Sequence, residues 1–153
     1  YLAVYWSKKK VRVNALSPFM IIKNLLGNMI ENNFGRIINI TSGAPLNCFE
    51  GFASYSASKS VLNTLTVTTA KEYKSKNVKI NLMSPGPVKT EMAPDAKMDP
   101  SVCLPTLEYL LNLDESGPTG KFFWLGYEIP LFPDLKNIDW LKGKGGKSLK
   151  KVL

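Results

Sequence analysis

Tyr55 and Lys59, in Tyr55-Ser56-Ala57-Ser58-Lys59, set a phenol and an ammonium four positions apart. On a helix such residues lie one above the other and look into the same space. A phenol titrates near ~10, and a cation a few ångströms away favours its ionised form. A tyrosine so placed can give and take a proton as the general acid/base of a carbonyl/alcohol couple. Taken alone, the pair also describes a half-exposed aromatic beside a solvated amine. Ser42 lies thirteen positions before Tyr55, at the end of Gly35-Arg36-Ile37-Ile38-Asn39-Ile40-Thr41-Ser42-Gly43-Ala44. This apolar run with a glycine near each end predicts a buried strand closing in a tight loop. The carboxyl ends of strands in open parallel sheets are where such folds place their sites.

Asn81-Leu82-Met83-Ser84-Pro85-Gly86-Pro87-Val88-Lys89-Thr90 is the third marker, a strand that ends in a stiff turn. Its two prolines restrict the backbone on either side of a permissive glycine. Serine, Tyr-x-x-x-Lys and the proline-glycine segment, in this order and spacing, resemble the short-chain dehydrogenase/reductase family. That resemblance implies an α/β fold, a Rossmann-like doubly wound parallel sheet, and a hydride transfer between NAD or NADP and a carbonyl or secondary alcohol.

The resemblance also implies roles. Ser42 and Tyr55 would act on the substrate oxygen, and Tyr55 and Lys59 would meet the cofactor. Pro85, Gly86, Val88 and Thr90 would lie against the nicotinamide, with the Val88 backbone and the Thr90 hydroxyl at its carboxamide. Asn14, in Val13-Asn14-Ala15 and twenty-eight positions before Ser42, matches the family's catalytic asparagine and would hold a proton-relaying water. Its plainer reading is a helix-surface asparagine. The family's opening strand, glycine-rich turn and helix, which receive the cofactor diphosphate, have no counterpart before Asn14. On this reading the chain resembles only the carboxyl-terminal part of such an enzyme, with a sheet truncated at its amino-terminal side to about three strands and flanking helices. It begins with tyrosine, which points to a fragment or processed product. An inactive fragment or scaffold lacking the diphosphate site is therefore the alternative to an enzyme or its catalytic part.

The elements that must position these residues follow from periodicity. Residues 7–32 read as a helix with Val11, Ala15, Phe19, Ile22, Leu25 or Leu26 and Met29 on one stripe, kinked where Pro18 interrupts it. A strand from Arg36 to Thr41 follows, and then a loop to Ser54 in which Leu46, Cys48 and Phe49 are candidates for an apolar substrate wall. Ser54 serves as cap or first-turn residue of a helix to about Tyr73, striped by Val61, Leu62, Leu65 and Ala70. Its small residues could admit a partner subunit, since family members commonly pair through this helix and the preceding one, so a homo-oligomer is one reading and a face buried within the chain is the other. Val78–Met83 reads as a strand, and 91–98 as a mobile segment over the site. Asp99-Pro100 opens a helix to about Leu111, and Lys121–Leu125 is a last strand. Residues 1–126 thus make the partial Rossmann-like domain, and 127–153 an extended, flexible basic tail.

Composition bounds the remainder. The 153 residues, 44% apolar, suffice for one domain with a core, and no run approaches a membrane span. Cys48 and Cys103 make no disulfide framework, and with no histidine a zinc site would need an unusual ligand set. A cytoplasmic location is expected. Of the +8 charge, Lys142, Lys144, Lys147, Lys150 and Lys151 carry five units among glycines. That pattern marks a solvated tail and argues against nucleic-acid binding as the main function.

Overall fold

A computed structural model describes residues 16–133. The elements are α1 (Leu16–Glu31), β1 (Gly35–Ile40), α2 (Ala44–Asn47), α3 (Ala53–Glu72), β2 (Val78–Ser84), a 3-10 turn (Pro100–Cys103) leading into α4 (Leu104–Leu111), β3 (Phe122–Trp124) and β4 (Tyr127–Ile129). They form one open sheet in the order β1-β2-β3-β4, with the first three strands parallel and β4 antiparallel to β3. Flanked by helices, this is a truncated Rossmann-like α/β sheet, as expected. The fourth strand was not: Tyr127–Ile129 pairs at the start of the segment assigned to the tail. Leu125 (φ 45°) and Gly126 (φ 81°) supply two successive left-handed residues, the requirement of a tight hairpin turn.

β2 is the centre of the fold. All seven of its residues are buried, and it pairs with β1 from Gly35↔Val78 to Ile40↔Met83 and with β3 from Leu82↔Phe122 to Ser84↔Trp124. Its alternate side chains serve two cores, as the period of a strand dictates. Val78 and Ile80 pack with Ile22 and Leu26 of α1 and Ala70 of α3, while Leu82 joins Leu62, Val67 and Phe122. On the other face Met83 meets Leu110, Leu113 and Phe123. Asn81 also points to that side and is satisfied, donating to Pro118 O (2.8 Å) and accepting from Lys121 N (3.0 Å).

The helices obey their periodicity with shifted stripes. In α1 the buried line is Ile22 and Leu26, with Met29 and Ile30 beside it, whereas Phe19 and Leu25 are exposed. Pro18 lies within the described part of α1. The kink expected around Asn14 lies outside the described residues. In α3 the buried line is Leu62, Thr66, Val67 and Ala70, and Val61 faces outward. Phe52, not Ser54, is the cap residue of α3, leaving Ser54 within the first turn. Asp99 caps the next element as expected, its carboxylate accepting from Ser101 N at 2.8 Å. Among the described residues no helix is long and apolar enough to cross a membrane, and no group of three metal-binding side chains is found.

Candidate active site

The parallel register brings the carboxyl ends of β1 and β2 side by side, and Thr41 N continues the ladder by donating to Met83 O (2.8 Å). Ser42 and the Ser84–Pro87 turn therefore leave the sheet at the same edge. Beyond Ser42 the chain turns at once into α2, and the Ser42 hydroxyl accepts from Ala44 N at 3.1 Å. Cys48 closes α2 in the left-handed region (φ 51°) and Gly51 (φ 79°) turns the loop back toward α3.

α3 carries Tyr55 and Lys59 on one face, both half-buried. The Lys59 ammonium lies 5.9 Å from the centre of the Tyr55 ring, so the one-turn spacing brings the pair together in the way the sequence predicts. Lys59 Nζ donates to Ile40 O at 3.0 Å, a bond that spans from helix to strand end two residues before Ser42. Burial pushes the Lys59 ammonium below the ordinary lysine range. An ammonium has three donors, and one hydrogen bond is made to protein among the described residues.

Two further bonds continue this line of contacts and were not foreseen. Thr41 Oγ1 donates to Asn63 Oδ1, and Asn39 Nδ2 donates to Thr66 Oγ1 at 2.8 Å. Thr41, Asn63 and Thr66 are buried, so each bond replaces water that these groups have lost. The signal was present in the spacing: Lys59, Asn63 and Thr66 fall at i, i+4 and i+7 on the sheet-facing side of α3.

On the β2 side, Gly86 (φ 80°) sits between Pro85 and Pro87, and a Cβ there would meet Trp124 Nε1 at 2.9 Å. The glycine is thus required twice, by its backbone conformation and by the indole from β3. Val88 is buried and its N–H donates back to Gly86 O (2.9 Å), while Thr90 is exposed with its hydroxyl accepting from Ala93 N (3.2 Å). The segment after it is strapped by a bridge between Val88 and Met98. Asn14 lies outside the described residues.

The strand ends thus present an ammonium with donors to spare, a phenol, a serine hydroxyl and a turn whose glycine lets backbone approach closely. Among the described residues no glycine-rich strand-turn-helix unit for the diphosphate is found.

A family model, short chain dehydrogenase, matches residues 5–100. The chain belongs to the short chain dehydrogenase family. The match begins at the fifth residue and runs through α1, β1, α3, β2 and the glycine turn, so the expected likeness to the family's carboxyl-terminal part only is corrected: it is carried by the amino-terminal stretch and core of this chain. An NADPH-dependent aldehyde reductase-like protein, chloroplastic, from Arabidopsis thaliana is 30% identical over 135 residues, covering 88% of this chain and 45% of that protein. An acetoacetyl-CoA reductase from Allochromatium vinosum is 40% identical over 82 residues, covering 54% of this chain and 33% of that one. The solved short chain dehydrogenase from Salmonella enterica superposes with a TM-score of 0.68 at 22% identity, over 74% of this chain and 50% of that chain. The chain spans less than half the length of these curated relatives.

Proposed function

We propose that this chain is a nicotinamide-dependent oxidoreductase, or the catalytic part of one, acting on a carbonyl/secondary-alcohol couple with NAD or NADP. The observation that carries this reading is the Tyr55-Lys59 pair, with Lys59 tied to Ile40 O two residues before Ser42. When bound, the nicotinamide supplies the hydride for reduction or accepts it in oxidation. As the carbonyl carbon gains hydride, its C=O electron pair moves to oxygen, and Tyr55 gives that oxygen its phenolic proton. Ser42 donates a hydrogen bond to the same oxygen and favours its developing charge. Lys59 offers its remaining N–H donors to ribose hydroxyls and a positive charge to the tyrosine that has lost its proton. Asn14 would hold the water through which that proton returns. Pro85, Gly86, Val88 and Thr90 form the wall against which the ring is oriented.

Titration of the 153-residue chain with NADH and NADPH, followed by nicotinamide fluorescence, tests the reading. Saturable binding, weakened by Lys59→Ala, is expected. A folded sample that binds neither dinucleotide would assign the chain to its second reading, an inactive scaffold. That reading draws on the described residues, among which no glycine-rich strand-turn-helix unit for the diphosphate is found.

A further inference from the structure

Phe49, Phe52 and Tyr55 recur every three residues and stand in a row. Phe49 meets Phe52 with ring centres 6.1 Å apart at 73°, and Phe52 meets Tyr55 at 6.1 Å and 85°. Both contacts are edge-to-face, the arrangement aromatic pairs prefer. The row ends on the tyrosine beside Lys59, while Phe49 and Phe52 keep 55% and 49% of their surface exposed. The local backbone enforces this outward display: Cys48 and Gly51 are both left-handed, Phe52 N donates to Phe49 O (3.1 Å) and Ser56 N to Phe52 O (2.7 Å). Two rings held out of the core in a bonded turn have open faces, and an edge-to-face row extends naturally by a further ring. Residues 43–54 contain no lysine or arginine and one carboxylate, Glu50. This wall has apolar area to offer and no cation to hold a phosphate or carboxylate.

We infer that the row is the recognition wall for the substituent of the substrate carbonyl, and that the substituent carries a neutral aryl ring: the substrate class is ketones and aldehydes with an aryl-bearing side chain. This rests on the reading of Tyr55 as the proton donor, since that assignment puts the carbonyl at one end of the row. Phe52, in contact with Tyr55, is then the main specificity-determining residue, and Phe49 extends the wall outward.

The test separates binding from turnover. Benzylacetone and acetone are presented to the full chain, and saturation-transfer NMR reads the ligand protons without need of reaction. Benzylacetone should bind through its ring and acetone should not, with affinity lowered about tenfold in Phe52→Ala and less in Phe49→Ala, the scale of an aromatic pair lost beyond its buried area. Tyr55→Phe should retain binding because the ring remains. Unchanged affinity in both phenylalanine variants overturns the inference. So does a Phe52→Ala chain whose self-association by sedimentation changes while its affinity for benzylacetone does not, because the rings would then be covered by a second copy. With NADPH added, binding without oxidation at any ketone would count against the oxidoreductase reading and leave the wall standing. Equal kcat/KM for the two ketones would do the reverse.

Discussion

β1 and β2 are neighbouring parallel strands of similar length that deliver the two halves of the candidate site, yet they are held by different forces. β2 is buried along its length and paired on both sides. β1 is paired on one side among the described residues, and all but Gly35 of its residues are only half-buried. What β1 lacks in apolar contact is made up by directed polar bonds. Arg36 anchors its beginning through Leu113 O (2.9 Å from Nε) and Asn77 O (2.9 Å from Nη1), and α3 holds its end through Asn39–Thr66, Thr41–Asn63 and Ile40 O–Lys59. Burial sets how deep a strand sits but tolerates small displacements, because it is not directional. Hydrogen bonds to specific atoms fix a position along the strand. The half of the site to which the proposed mechanism gives the proton is the half with the directed bonds.

The comparison can be broken at several strengths. The largest effect should come from Tyr55→Phe, which removes the proposed proton donor: turnover should fall by about 10²–10⁴-fold. Turnover within threefold of the original would remove Tyr55 from the mechanism.

Next, Ile80→Ala in β2 should cost about 2–5 kcal/mol in urea denaturation. Ile38→Ala, a half-buried β1 position on the opposite face, should cost clearly less. Equal losses would mean that β1 too is held mainly by burial.

Asn63→Leu leaves the buried Thr41 hydroxyl without its acceptor, and should cost about 1–3 kcal/mol. Adding Thr41→Val should recover part of that loss, and a double-mutant cycle with no coupling would show that the bond does not hold the strand end.

The smallest effect concerns pH. Because burial lowers the folded-state pKa of Lys59, the unfolded chain binds more protons between the folded value and the ordinary lysine value. Stability should therefore rise with pH through that window, and the rise should be shallower in Lys59→Met. Parallel profiles for the two proteins would show that Lys59 carries no burial penalty.

Much of this organisation was legible in the residues themselves. β1 and β2 to within one residue at each end, the helix bearing Tyr55 and Lys59, and the Asp99 cap all follow from local pattern. Helix stripes were less accurate: Phe19 and Val61 satisfy the spacing but face outward, because which apolar line is buried depends on the strands underneath. The polar line from α3 to β1 was missed for a related reason: spacing puts Asn63 and Thr66 on one face with Lys59, but only the fold sets Thr41 and Asn39 opposite them. β4 escaped because three residues are too few to show a period.

By itself the sequence determined the strand-helix order, the one-turn placement of Tyr55 over Lys59, and a proline-bounded turn at Gly86, since each depends on covalent spacing and backbone restriction within a few residues. Only the tertiary structure decided that Lys59 reaches Ile40 O, that Thr41 finds Asn63, and that the indole of Trp124 occupies the space a side chain at Gly86 would need. Those contacts join residues about twenty to forty positions apart. They exist because β1, β2 and β3 lie side by side with α3 packed across them, and no local preference specifies which distant atom will be the partner.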